Sequence, residues 1–215
     1  LKVREHEFPT ELSDTTRAFF AKAGAVRQDE LGPAMVKLAA NSGDAEAEKL
    51  VNTDRFFHSM LRTTCVATLI DGGHAANALP QRVEANVNCR IFPGHTPVEI
   101  QAELARIIGN PAISIDLARR NKPLAKSPPL DPAIIGPMEQ VSAKYFPGVP
   151  VIPAMSTGAT DGLYLAAVGI PTYGVPGSWG DPDGNGVHGL NERIETRSLF
   201  VGRDYLYELV KVLAK

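Results

Sequence analysis

What is scarce in this sequence narrows its class first. Neither sign of charge is in excess: 22 Lys and Arg against 24 Asp and Glu leave a formal net charge of −2. No electrostatic argument therefore favours nucleic acid or an anionic membrane as a partner. No run of about 18 apolar residues occurs, which excludes a membrane-spanning helix, and no signal peptide opens the chain. Cysteine occurs only twice, at Cys65 and Cys89, each inside a strand-like run (TTCVATLI and VEANVNCRIF). Those runs are expected to pair as antiparallel neighbours, which would bring the thiols close. Because disulfide geometry is demanding, two buried free thiols are the favoured reading. None of the histidines has the HExxH spacing that sets two metal ligands on one helical face. The chain is read as soluble, with cytoplasm and export both open.

The 215 residues present suffice for one or two domains with a real core. Leu1–Pro9 alternates apolar and charged residues, like an edge strand or extended linker. Ser13 and Asp14 then offer an N-cap for a helix through TTRAFFAKAG, stopped by Gly24. Further helices are expected over Pro33–Ala40, Ala45–Val51 and Asp54–Leu61, with Pro33 and Asp44 as starts. Phe19, Phe20, Phe56 and Phe57 are read as core aromatics, since each buries a large area.

From Arg62 the pattern changes to strand. RTTCVATLIDGG is β-branched and ends in an Asp-Gly-Gly turn signal; HAANALP follows as an irregular link, and QRVEANVNCRIFPG as a second strand with Val83, Ala85 and Val87 on one face. Pro97 opens a helix closed by Gly109, and PAISIDLA is expected as a further strand. The basic, proline-rich run Arg119–Pro129 is the candidate domain boundary, dividing the chain into 1–119 and 120–215. Beyond it a helix over Asp131–Tyr145, a short strand over Val149–Ile152 and a closing amphipathic helix over Ser198–Lys215 are expected, with Leu199, Leu206, Leu209, Val210 and Leu213 inward.

The stretch Pro153–Arg193 carries the chemistry. It reads as strand, Gly/Thr turn, short helix, buried strand (GIPTYGVPG), long polar loop and one histidine. The turn Ser156–Asp161 presents backbone N–H groups at a helix start, where anions are favoured. His188 lies between Gly186 and Gly189, which lets the backbone place an imidazole closely against a partner. On local grounds it is either a metal ligand or a plain loop histidine. His74 is read as a loop histidine.

In combination, GATD, GIPTYGVPG and HGLNERI resemble the C-terminal part of the catalytic domain in the di-zinc metallopeptidase and amidohydrolase family. That family includes carboxypeptidase G, the aminoacylases, carnosinases and succinyl-diaminopimelate desuccinylase. GGHAANALP and NCRIFPG resemble motifs of that family's lid or dimerisation domain, and the helical insertion over about 13–61 resembles the carboxypeptidase S-like branch. The resemblance implies an α/β fold: an α+β lid with an antiparallel sheet, plus the end of an α/β catalytic domain. It implies that His188 is a zinc ligand, with Asn191 and Glu192 in register. Thr157, Gly158, Thr160 and Asp161 would line the substrate pocket. Asn77 and, thirteen positions later, Arg90 would bind the substrate's carboxylate or the oxyanion. A planar guanidinium suits that task because it makes paired, charge-assisted hydrogen bonds; without the flanking motifs the two read instead as a turn Asn and a solvated strand-end Arg.

The departures from the pattern are as informative. Relatives supply an HxD motif, a bridging Asp and a Glu-Glu pair from an N-terminal half, and none of these is found in the 215 residues. Leu1 is accordingly read as a start inside the lid domain, which lacks its first strand and helix, and the chain by itself as inactive. The resemblance implies a zinc-dependent hydrolase of amide bonds beside a free carboxylate, acting on peptides or N-acyl amino acids and dimerising through the lid. The alternative is a non-catalytic dimerisation or carboxylate-binding module.

Overall fold

A computed structural model describes residues 1–118, 122–124 and 126–214. They form two compact units: one of Leu1–Ser127 with Ala154–Ile170, the other of Pro128–Pro153 with Pro171–Lys215. Arg119 and Arg120, between which the boundary was expected, lie outside the described residues. Mixed helices and an antiparallel two-stranded sheet match the expected α/β class.

The first unit opens with one helical turn, α1 (Lys2–Glu5), where an edge strand or linker was expected. Its Val3 packs beside Phe8 against a cluster centred on Ile100 and Leu104. Helix α2 (Asp14–Val26) starts at the expected cap, Ser13, whose side chain accepts from the Thr16 N–H. It does not stop at Gly24. A Cβ on Gly24 would lie 2.7 Å from the Gly32 carbonyl and 2.9 Å from the Met35 Cβ. The glycine is therefore the point at which α3 (Leu31–Ala40) crosses α2, a packing role rather than a terminator.

Two short helices follow, α4 (Ala45–Val51) capped by Asp44 and α5 (Arg55–Met60) capped by Asp54. Together α2 to α5 bury a cluster of Phe20, Met35, Leu38, Val51, Met60 and Leu61, among others. Phe19 and Phe57 join it as expected, whereas Phe56 points outward and is half exposed. Arg62 is buried at the exit of α5. Its guanidinium reaches Glu7 and Glu48, both at 3.1 Å, the Phe8 carbonyl and the Thr10 hydroxyl, tying the N-terminal strap to this helical layer.

Strands β1 (Thr64–Gly72) and β2 (Val83–Arg90) pair antiparallel, from Thr64 opposite Arg90 to Gly72 opposite Val83, with an irregularity at Thr68. Cys65 faces Cys89 in the register, as expected of neighbouring strands. The two are not free thiols: they form a disulfide. The reason is their direct opposition, with Cα atoms 4.1 Å apart, close to the separation of a non-hydrogen-bonded antiparallel pair. Cys65, Val87 and Cys89 pack against Ile100 and Leu104 of α6 (Pro97–Ile108), while Leu69, Ile70 and Val83 at the far end of the hairpin are exposed. Helix α6 ends as expected at Gly109, which is left-handed (φ 60°). PAISIDLA is not a strand. Ile115 packs on the α6 cluster and its carbonyl accepts from Gln101, but the segment has no ladder partner among the described residues.

Helix α7 (Pro132–Tyr145) belongs to the second unit, α8 (Gly162–Ala167) to the first, and α9 (Thr196–Leu213) to the second. Val149–Ile152 and the GIPTYGVPG run, expected as strands, are not assigned as strands among the described residues. Within the second unit, α9 packs on α7 through Tyr205 and Leu209, while Ser198 and Gly202 meet the Gly177–Trp179 segment. The expected inward face is therefore rotated. Leu209 is buried, but Leu199, Leu206, Val210 and Leu213 are exposed. Small residues explain the shift: the Gly202 position lies against Gly177 and Ser178, and the Tyr205 ring occupies the space a Cβ on Gly177 would need.

Candidate functional site

The loop that carries His188 runs from Gly177 to the start of α9. Its entry is tied to that helix: Ser198 Oγ accepts from the Trp179 N–H at 2.8 Å and donates to the Trp179 carbonyl at 2.7 Å, while the indole N–H donates to Glu195. Within the loop the Gly184 N–H donates to the Asp181 carbonyl, the Asp181 N–H to Asn185 Oδ1, and the Arg193 N–H to the Asn185 carbonyl. A tight turn follows, with the Gly189 N–H donating to the Gly186 carbonyl at 2.8 Å. Gly186 is left-handed (φ 63°), and a Cβ there would lie 2.8 Å from the Asn191 carbonyl. Glycine is thus required at 186 by both conformation and space.

His188 is itself left-handed (φ 65°), the one non-glycine residue with positive φ among those described. For a non-glycine residue this conformation is uncommon, although His, like Asn and Asp, is enriched in it, and such residues concentrate at functional positions. Its backbone N–H donates to Glu192 Oε2 at 3.3 Å. The residue is exposed, and its ring forms no hydrogen bond or ion pair among the described residues. Asn191 and Glu192 follow it on the surface.

Thr157, Gly158, Thr160 and Asp161 fall in the first unit, at the start of α8. The turn is held locally: Ser156 Oγ accepts from the Gly158 N–H and Thr160 Oγ1 from the Gly162 N–H. Asp161 stands at the N-cap position without a capping bond, so its carboxylate is free to face solvent or a ligand. Arg90 sits at the end of β2 opposite Thr64, whereas Asn77 lies in the connection at the other end of the hairpin. Both are exposed, no hydrogen bond joins them, and the Arg90 guanidinium has no carboxylate partner among the described residues.

The remaining histidines do not assemble a metal site. His95 Nε2 lies 2.8 Å from Glu11, and His6 Nε2 3.1 Å from Glu103. His58 lies 3.9 Å from Glu7, and its pKa is held below the ordinary histidine value by burial and by the nearby Arg62, against the attraction of Glu7. These pairs fasten the N-terminal strap. His74 is an exposed loop residue. Among the described residues no group of three His, Cys, Asp or Glu gathers in a way that could hold a metal ion. The role of Arg193 within this loop was not foreseen. Its Nε donates to Asp181 at 2.7 Å and its Nη2 to both oxygens of Asp183, at 2.8 and 2.9 Å. The signal was present in DPDGN followed by the arginine of NER.

Residues 19–116 match the family model described as a peptidase dimerisation domain of M20 type. Among curated proteins, the chain is 24% identical over 166 residues to the N-fatty-acyl-amino acid synthase/hydrolase PM20D1 of Mus musculus, covering 76% of this chain and 33% of that protein. It is 27% identical over 157 residues to the human PM20D1, covering 72% and 31%, and 22% identical over 164 residues to a probable carboxypeptidase S-like protein of Dictyostelium discoideum, covering 76% and 32%. The chain thus spans about a third of the length of the curated relatives it matches. In fold it resembles an M20 family metallo-carboxypeptidase from Sulfolobus solfataricus, with a TM-score of 0.63 at 18% identity, covering 95% of this chain and 46% of that one.

Proposed function

From this kinship with the M20 peptidases, carried by a dimerisation domain over residues 19–116, we propose that the chain is the dimerising and substrate-gripping part of a zinc-dependent hydrolase. The bond cleaved is an amide or peptide bond beside a free carboxylate, in peptides or N-acyl amino acids. The observation that carries the reading is the HGLNER loop, which holds His188 in a left-handed backbone with an exposed, unpartnered ring. In this reading His188 is one zinc ligand. The described residues gather no group of three ligands, so they do not fit a complete zinc site by themselves; a metal at His188 would need ligands besides those gathered among the described residues.

Arg90 and Asn77 bind the substrate's carboxylate or the developing oxyanion. A guanidinium without an internal carboxylate partner keeps its full donor set for a ligand. Thr157, Gly158, Thr160 and Asp161 line the pocket. Homodimerisation runs through the lid domain, where the far end of the hairpin leaves Leu69, Ile70 and Val83 uncovered. The second reading, a non-catalytic dimerisation or carboxylate-binding module, draws on the same lack of a gathered ligand group.

The test is metal analysis after dialysis together with an assay on N-acyl amino acids and dipeptides. The chain alone is expected to retain less than one zinc and to hydrolyse nothing. Joined to a polypeptide that supplies HxD and Glu-Glu ligands, it is expected to turn substrate over in a manner that His188→Ala abolishes. Stoichiometric zinc and turnover by the chain alone would refute the incomplete-site reading. A joined protein that binds carboxylates without turnover would leave the binding module in its place.

A further inference from the structure

The spacing Asp181-x-Asp183-x-Asn185-Gly186, with Glu192 six residues later, is that of loops that wrap a hard divalent cation. In such loops the carboxylates converge on a metal and the glycine makes the sharp turn. In this one the carboxylates converge on a side chain. The Arg193 guanidinium takes Asp181 through Nε and both oxygens of Asp183 through Nη2, and the Arg193 backbone N–H closes on the Asn185 carbonyl at 2.9 Å. The residue at the last carboxylate position, Glu192, accepts from the backbone N–H of His188.

We propose that Arg193 is the built-in cation of this loop and the positioning residue of His188. The guanidinium draws the two ends of the Asp181–Arg193 segment together, leaving the turn at Gly186–Gly189 no freedom but the one that places His188 in the left-handed region. A planar fork with several donors can hold two carboxylates at fixed angles, whereas an ammonium acts as a point charge. The inference rests on the reading of His188 as the functional residue, but the clasp itself is measurable without it.

Two local probes lie in this loop. Trp179 is the chain's only tryptophan and leads directly into the clasp. Leu190 is fully exposed at its tip and is open to chymotryptic cleavage once the loop frays. Arg193→Gln is expected to raise the rate of cleavage at Leu190 by about tenfold, as expected for loss of a local closure. It should also shift Trp179 emission and its quenching by iodide, with far-UV circular dichroism unchanged. Arg193→Lys should fall between the two. Asp183→Asn, which leaves the arginine in place, should reproduce the effect in milder form and serves if Arg193→Gln fails to fold. The His188 ring resonances should move in Arg193→Gln, and those of His6, His58 and His95 should not.

Unchanged cleavage and Trp179 emission in both variants would overturn the clasp. Protection of the wild-type loop by millimolar calcium would also overturn it, since the loop would then take a real cation. If the clasp variants open the loop but zinc uptake is indifferent to His188→Ala, the clasp stands and the metal reading of His188 falls.

Discussion

The helical layer of the first unit and the helix pair of the second solve the problem of burial in opposite ways. In the first, four short helices bring Phe20, Met35, Leu38, Val51, Met60 and Leu61 wholly out of solvent. The chain approaches itself closely where Gly24 meets Gly32. In the second, the buried cluster is small, Met138, Val141, Tyr205 and Leu209, and much of the definition comes from polar contacts, such as Ser142 with Tyr205 at 3.0 Å and Ser198 with Trp179. An apolar stripe of Leu199, Leu206, Val210 and Leu213 stays outside. The difference teaches that the first region is held by volume, the second by hydrogen-bond geometry, and that the loop carrying His188 hangs from the second.

The largest expected effect breaks the comparison at its strongest point. Phe20→Ala should cost about 3–5 kcal/mol by denaturant unfolding, because it empties a fully buried ring's space. Leu206→Ala on the outer stripe of α9 should stay within about 0.5 kcal/mol, as surface substitutions do. Equal losses would show that the second unit has a core of the same kind. Next comes the disulfide. Replacing Cys65 and Cys89 together by Ala should lower stability by roughly 2–4 kcal/mol, the usual range for a native bridge, read as a shift of the unfolding midpoint against wild type. A smaller step follows in the second unit, where Tyr205→Phe should cost about 1 kcal/mol by removing a buried hydroxyl pair.

The smallest effect is a pH dependence. Burial and Arg62 hold the His58 pKa below its ordinary value of 6.5, so the unfolded chain takes up a proton that the native one refuses. The associated stability is present above that ordinary value and is lost as pH falls through it toward the folded pKa. Urea midpoints measured from about pH 7.5 down to about pH 5 should decline for wild type, and His58→Gln should flatten the slope. A slope unchanged by that substitution would place the titration elsewhere than His58.

Local signals in the sequence were reliable where the physics is local. Ser13, Asp44 and the Pro97–Gly109 pair mark helix ends because a cap needs only its own turn. The pairing of TTCVATLI with VEANVNCRIF was legible because alternation and a turn signal agree. The segment PAISIDLA has β-branched residues but no partner strand among the described residues, and a partner is not a local property. The face of α9 was misjudged because Ser198 and Gly202 look inert in a sequence, yet their smallness decides which side meets the Gly177 loop. The thiols were misassigned for a similar reason: strand pairing was expected, but direct opposition in the register was not. In the His188 loop the need for a glycine at 186 was legible, whereas the hold of Arg193 on Asp181 and Asp183 depends on a contact across the loop.

The most direct measurement is a zinc titration followed at the histidine ring resonances of the 215-residue chain. The account predicts that the first resonances to shift or broaden belong to His188, with those of His6, His58 and His95 held by their carboxylate partners and unmoved, and that His188→Ala removes the response. Zinc uptake that leaves His188 unmoved, or that survives His188→Ala unchanged, would contradict it.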